Sequence, residues 1–124
     1  MAWKGVVIEE SLEDRGLLKM VKVVRSEEAT LEGEEGKGMM HLQYFELDEA
    51  NTDKFISMAR KAVKHGWYIH ICRGGTMVVV FKGKAFEFTK AQEDAIQRAE
   101  DYGASIGILR GQMGFRKMID NPWD

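Results

Sequence analysis

The clearest alternation of apolar residues lies between residues 67 and 88. It predicts three consecutive antiparallel strands, at 67–73, 76–82 and 84–88. Gly74 and Gly75 can supply the positive φ angles of a two-residue hairpin turn, and Gly83 marks the second turn. Paired in this way, the ribbon is apolar on both faces, whereas a sheet with one wet face alternates with polar residues. We therefore expect both of its faces to be covered.

The first third of the chain carries weaker strand signals. A short apolar run at residues 6–8 predicts one strand, and the β-branched cluster within residues 17–30 favours another. A charged, glycine-containing loop follows at residues 32–38. The loosely alternating segment 39–47 then reads as the returning strand of a hairpin.

Two helices are predicted from apolar residues at helical spacing. The first starts near Asp48 or Asn51 and ends at Gly66. The second starts at the capping box of Thr89 and Gln92 and ends at Gly103. The expected buried stripes are Phe55, Ile56, Ala59, Ala62 and Val63 in the first helix and Ala91, Ala95, Ile96, Ala99 and Tyr102 in the second.

Together these elements predict an α+β fold, with an antiparallel sheet of about five to six strands and two α-helices packed on one face. Residues 45–50 resemble residues 86–91, and each stretch ends a strand and opens a helix. This echo raises the hypothesis of a duplicated β-β-β-α unit. The length of 124 residues predicts a single domain over residues 1–124, with an irregular glycine-containing tail from about residue 104.

Two helices on one face leave the opposite face of the sheet in need of cover. That cover would come from the N-terminal strands or from another subunit. Since two-fold self-association is the commonest way to hide an apolar patch, we expect a homodimer. The expected interface residues are Trp67, Ile69, Ile71, Val78 and Val80.

Composition places the chain among soluble globular proteins. Apolar residues make up 44% and charged residues 31% of the sequence, which is ordinary for this class. The single cysteine, Cys72, cannot form an internal disulfide, and no signal peptide or membrane span is recognisable. We expect a cytoplasmic protein with no membrane partner and no cofactor.

Charge is strongly segregated along the chain. Residues 54–90 carry eight basic side chains and one acidic side chain, while residues 1–53 carry six basic and thirteen acidic ones. A surface of one sign either attracts an anionic partner or is neutralised by the molecule's own acids, such as the acidic outer face of the second helix. The candidate anion-binding residues are Arg60, Lys61, Lys64 and Arg73.

Few residues suggest catalytic chemistry. His70 and Cys72 point the same way on a strand, but zinc needs at least three protein ligands and a nucleophilic cysteine needs a nearby base and an open setting. A core position beside other apolar residues is the simpler interpretation. The acidic side chains of the 32–38 loop lack the ligand spacing of a calcium loop. We predict no metal site.

The sequence identifies no specific reaction, and three hypotheses stay open. The first is a small non-catalytic module that self-associates or binds a partner. The second is a binder of anions or nucleic acid through the basic segment Lys54–Lys90. The third is a metal- or thiol-dependent enzyme that uses His41, His70 and Cys72. We rank them in this order, and a concave pocket with two or more polar side chains would be the most informative structural finding.

Overall fold

The computed structural model describes residues 2–30 and 38–123. These residues form one antiparallel sheet of six strands with helices packed on it, which confirms the α+β fold class. The strands are β1 (Trp3–Ile8), β2 (Lys22–Ala29), β3 (Met40–Leu47), β4 (Tyr68–Arg73), β5 (Thr76–Phe81) and β6 (Lys84–Thr89). The helices are α1 (Thr52–Ala62), α2 (Glu93–Ser105) and α3 (Phe115–Asp120). The predicted loop at residues 32–38 lies outside the described residues except for Gly38.

The strand order in the sheet is β2-β3-β1-β4-β5-β6. The predicted hairpin of β2 with β3 and the predicted ribbon β4-β5-β6 are both confirmed. Gly74 and Gly75 have φ angles of 55° and 86°, as the turn between β4 and β5 requires. The duplicated unit is not confirmed, because the two halves differ in strand order. The third strand of the first half, β3, lies between the other two, whereas in the second half the second strand, β5, lies in the middle.

Helix α1 covers one face of the sheet. Its residues Phe55, Ala59 and Ala62 are buried in a core that includes Ile69 and Val80. The helix ends at Ala62, earlier than predicted, because the chain becomes extended at Val63 and forms a bridge with Leu12. A contact distant in sequence therefore sets this boundary.

Helices α2 and α3 cover the other face. Ile96 and Ala99 of α2 pack with Met77, Val79 and Phe81 in a second core. The prediction that both helices pack on one face is therefore wrong. Each helix buries one apolar stripe, and a sheet that is apolar on both sides needs one layer on each side.

The segment after α2 is more ordered than predicted. The tail from residue 104 is predicted to be irregular or weakly helical. In the structure Phe115–Asp120 is helical, and Met113, Phe115 and Ile119 are buried in the second core. The six-residue helix is too short for a periodic pattern to reveal it. The C-terminal segment, residues 106–123, thus forms part of the layer over this face.

Candidate ligand-binding cavity

A cavity lies between the sheet and the C-terminal segment, on the face that carries the second core. Val6 is paired with Tyr44 of β3 on one side and with His70 of β4 on the other, so these side chains share this face. The cavity has a volume of about 350 Å³. It is of the size that small-molecule sites usually have.

The lining is mainly apolar and aromatic. The apolar side chains are Val6, Ile8, Leu42, Ile108 and Met118. The polar or aromatic side chains are Tyr44, Trp67, Tyr68, His70 and Gln112, and Gly66 and Gly111 complete the lining. Among the described residues that line the cavity, none carries a formal charge at neutral pH with a neutral His70.

Three polar side chains of β4 attach the C-terminal segment to the sheet. The Tyr68 hydroxyl donates to the carbonyl oxygen of Gln112. The Nε2 atom of His70 lies 2.9 Å from the carbonyl oxygen of Pro122, and the Cys72 thiol lies 3.4 Å from that of Met118. Since a strand presents alternate residues on one face, residues 68, 70 and 72 all reach the segment packed against that face.

Trp123 adds a second attachment of the C-terminal segment. Its indole N–H donates to the carbonyl oxygen of Gly5 at 3.1 Å, and the Lys4 ammonium lies 4.9 Å from the centre of its ring. The Arg25 guanidinium also donates to the Trp123 carbonyl oxygen at 3.4 Å. The end of the chain therefore lies across β1 and reaches β2.

Burial shifts the protonation equilibria of the β4 side chains. Burial lowers the pKa of His70, while the hydrogen bond to the Pro122 carbonyl acts in the opposite direction. Burial raises the pKa of Cys72 to about 12 and that of Tyr68 above its usual value. At neutral pH we therefore expect a neutral imidazole and a protonated thiol.

A polar network surrounds Tyr44 at the β2–β3 side of the cavity. The Tyr44 hydroxyl donates to a carboxylate oxygen of Glu27 at 2.9 Å. The Arg25 guanidinium lies 4.0 Å from the centre of the Tyr44 ring and 3.3 Å from the Glu27 carboxylate. Burial, followed by the hydrogen bond to Glu27, raises the pKa of Tyr44. The hydroxyl therefore stays protonated, with its hydrogen directed to Glu27.

This geometry gives little support to the hypothesis of thiol or metal chemistry at His70 and Cys72. Cys72 is 3% exposed and His70 is 6% exposed, and each engages a backbone carbonyl. Within residues 2–30 and 38–123, no three His, Cys, Asp or Glu side chains come together as a possible metal site. His41 lies elsewhere, with its Nδ1 atom 2.5 Å from the Glu10 carboxylate.

The four candidate anion-binding residues do not form one group. Arg60, Lys61 and Lys64 lie exposed at the end of α1 or just after it. Arg73 lies at the far end of β4, 3.0 Å from the Glu49 carboxylate and with its guanidinium 4.5 Å from the centre of the Trp3 ring. A β4 strand of six residues is roughly 17 Å long, so Arg73 is remote from the three α1 bases.

The acids of α2 do not neutralise α1. The two helices lie on opposite faces of the sheet, so their outer faces cannot pack side by side. Glu93 and Glu100 instead both pair with Arg116 of α3, at 2.7 and 3.1 Å. No ion pair of Arg60 or of its two basic neighbours occurs within the described part of the chain.

The residues expected at a subunit interface are already covered within one chain. Ile69, Ile71, Val78 and Val80 are at most 2% exposed, beneath α1 and the segment around Leu12 and Leu17. Trp67 is half-buried and lines the cavity. These apolar side chains therefore give no support for a homodimer, and the oligomeric state stays a prediction.

Sequence reasoning missed most of the cavity lining. Leu42 and Tyr44 lie two residues apart in β3, and their shared face could be predicted once β3 was identified as a strand. The pairing of β3 with β1, and of β1 with β4, had no sequence signal. Gln112 and Met118 come from a segment that carried no interpretable pattern.

No relationship to a known protein was found for this chain. The chain matches no protein-family model, no curated protein and no solved structure. No helix in the described ranges is both long enough and apolar enough to cross a lipid bilayer. Any functional conclusion therefore rests on the cavity and on the surface of this chain.

Proposed function

We propose that this protein is a non-catalytic binding module that takes up a small, uncharged and mainly apolar molecule. The observation that carries the proposal is the cavity of about 350 Å³ with its apolar lining and its few polar groups. Small-molecule sites combine these two features, because apolar contacts supply affinity and a few hydrogen bonds fix the orientation.

The electrostatics of the lining support an uncharged occupant. A charged group placed against the apolar wall of this half-open cavity would lose part of its hydration, and among the described residues no charged lining side chain would compensate it. Arg25 and Glu27, near Tyr44, already pair with each other. The cavity therefore favours a neutral molecule over an ion.

The hydrogen bonds of β4 support a binding role over a catalytic one. The Cys72 thiol is buried and protonated, and it contacts the carbonyl oxygen of Met118. A nucleophilic cysteine would need a base within hydrogen-bond reach and a lowered pKa. The Nε2 atom of His70 likewise contacts the Pro122 carbonyl oxygen, and within residues 2–30 and 38–123 it contacts no carboxylate.

Two-dimensional ¹H–¹⁵N NMR with a set of uncharged ring compounds tests the proposal. We expect some of these compounds to shift the amide signals of lining residues such as Val6, Tyr44 and Trp67. A Leu42→Trp substitution should abolish these shifts, because the larger side chain fills space that the half-buried leucine leaves open. The matched control is Val23→Trp, at a residue of β2 that is 40% exposed and lies outside the cavity lining.

Two outcomes would contradict the proposal. One is that none of the compounds shifts the lining signals at millimolar concentration. The other is that the Leu42→Trp protein, shown to be folded by its amide spectrum, binds as well as the Val23→Trp protein. Either result would mean that the cavity is not a binding site.

A second function that we propose as an alternative is the binding of an anion at the end of α1. The supporting observation is that Arg60, Lys61 and Lys64 are exposed and that the acids of α2 lie on the opposite face of the sheet. Binding of single-stranded nucleic acid should weaken steeply as salt rises and should be lost when all three residues are replaced by glutamate. Binding that is indifferent to salt would exclude this role.

We also retain a homodimer and a cytoplasmic location as proposals. Since α1 covers the expected interface, a dimer would use other surfaces, such as the edge strand β2, on which Val23 and Val24 are 40% and 42% exposed. Light scattering over a range of protein concentrations tests the dimer. A constant monomer mass would exclude it.

A further inference from the structure

We infer that the occupant of the cavity is a planar ring compound carrying an N–H or O–H donor, and that the Nδ1 atom of His70 accepts its hydrogen bond. This inference rests on the proposed binding function and names the chemical class of the ligand. Its basis is the direction of the hydrogen bonds around the cavity.

The hydroxyl hydrogens of the cavity are already committed to protein acceptors. Tyr44 donates to the Glu27 carboxylate, and Tyr68 donates to the Gln112 carbonyl oxygen. Each hydroxyl has one hydrogen, so its remaining capacity toward the cavity is that of an acceptor. A ligand that meets these groups must supply the donor itself.

His70 presents an acceptor as well. A carbonyl oxygen has no hydrogen, so the contact with Pro122 requires Nε2 to carry the proton. In a neutral imidazole the other nitrogen, Nδ1, then has a free lone pair. The side chain is held in this orientation by the C-terminal segment, so the acceptor is in place before a ligand binds.

The Nδ1 atom is the uncommitted nitrogen of His70, a side chain that is 6% exposed. It has no hydrogen-bond partner among the described residues. The only buried side-chain nitrogen or oxygen without a partner in that part of the chain is the Nε1 atom of Trp3, so Nδ1 is not sealed inside the protein. Since His70 lines the cavity, we infer that Nδ1 faces it.

The size and shape of the cavity limit the ligand further. A volume of 350 Å³ holds about a dozen non-hydrogen atoms if each takes roughly the volume of a water molecule, about 30 Å³. The rings of Tyr44, Trp67, Tyr68 and His70 all contribute to the lining. Flat surfaces of this kind favour a planar ring or fused ring pair over a branched aliphatic molecule.

The test compares indole with 1-methylindole by NMR titration of the wild-type protein. The two compounds have the same ring, but only indole carries an N–H donor. We expect indole to bind about five- to tenfold more tightly, since a neutral hydrogen bond contributes a factor of this order. The ¹⁵N signal of His70 Nδ1 should move when indole is added and should not move with 1-methylindole.

A His70→Phe variant provides the second measurement. Phenylalanine keeps a flat ring but has no acceptor, so the preference for indole should disappear while 1-methylindole still binds. If this variant does not fold, the ¹⁵N signal of the wild-type protein decides the question alone. Equal affinities for the two compounds in the wild-type protein, with no movement of the Nδ1 signal, would overturn this inference and leave the binding function intact. Binding of neither compound, in a protein that also binds no other ring compound, would overturn both.

Discussion

Replacing Phe115 by alanine is expected to destabilise the protein strongly, because this side chain anchors the C-terminal segment in the second core. Phe115 is fully buried at the start of α3. Its ring meets the Tyr68 ring edge-on, with centroids 5.4 Å apart and planes at 86°. The centroid of the Phe88 ring lies 6.1 Å from that of Phe115. The substitution leaves a cavity beneath the segment that borders the proposed binding site.

The expected loss follows from the burial of this side chain. Truncation of a fully buried phenylalanine to alanine costs about 3–5 kcal/mol, which includes the lost transfer free energy and the cavity left behind. The edge-on contact with Tyr68 places the expected value in the upper part of this range, since such pairs add about 0.5–1.5 kcal/mol. A domain of this size has a total stability of about 5–15 kcal/mol, so the variant should be close to marginal.

Urea unfolding followed by circular dichroism measures this effect. With a dependence of about 2 kcal/mol per molar urea, a loss of about 4 kcal/mol lowers the midpoint by about 2 M. The control is Leu109→Ala in the same segment, which should change the stability by no more than about 0.5 kcal/mol because Leu109 is 49% exposed. If Phe115→Ala lost less than about 1 kcal/mol, the segment would not be part of the folded core, and the argument for the cavity would fail with it.

Three further predictions concern other parts of the molecule. Gly5→Ala should lower the free energy of unfolding, measured in urea, by about 3 kcal/mol, because the added Cβ would lie 2.3 Å from the backbone oxygen of residue 70. Gly114→Ala is the control and should be nearly neutral, because nothing lies within 4 Å of its added Cβ. Equal stabilities of the two variants would contradict this prediction. The Cys72 thiol should stay unreactive toward a thiol reagent at pH 8 until the protein unfolds, because its pKa is raised to about 12 by burial, and fast reaction in the native state would refute this. The pKa of His41, measured by NMR, should exceed 6.5 because of its hydrogen bond to Glu10, and it should fall toward 6.5 in Glu10→Gln. The pair therefore stabilises the fold fully below about pH 6.5, and its contribution is lost as the pH rises through the folded-state pKa. An unchanged His41 pKa in the variant would be contrary to this account.

Local patterns predicted the elements of the second half well. The strands of the β4-β5-β6 ribbon and their glycine turns were predicted to within one residue at either end, because alternation and turn chemistry are properties of neighbouring residues. Only half of the predicted capping box is present. The Gln92 side chain accepts from the Thr89 backbone N–H at 2.8 Å, but the Gln92 N–H donates to the Thr89 carbonyl oxygen instead of its hydroxyl, and α2 begins at Glu93. The end of α2 was less accurate. The helix was predicted to end at Gly103 but continues to Ser105, and Gly107, just beyond it, has a φ of 97°.

Contacts distant in sequence were not predictable in the same way. The two apolar faces of the ribbon implied two covering layers, but not which helix lies on which face. Both helices were therefore predicted on one face, and the face that α1 covers was predicted as a subunit interface. His70 and Cys72 were correctly interpreted as core positions, yet their carbonyl partners in the C-terminal segment had no sequence signal. The separation of Arg73 from Arg60 and its basic neighbours was also not predictable, because the number of charges along the chain does not show where they lie in the fold.

By itself, the sequence determined the α+β class, the hairpins and the need for cover on both faces of the ribbon, because each depends on the spacing of residues along a short stretch of chain. Only the tertiary structure decided that α1 and α2 take opposite faces, and that residues 106–123 pack against β1 and β4 and border a cavity lined also by β3. The physical reason is that a cavity is the space between elements far apart in sequence, and its shape depends on packing and strand order that no local pattern encodes.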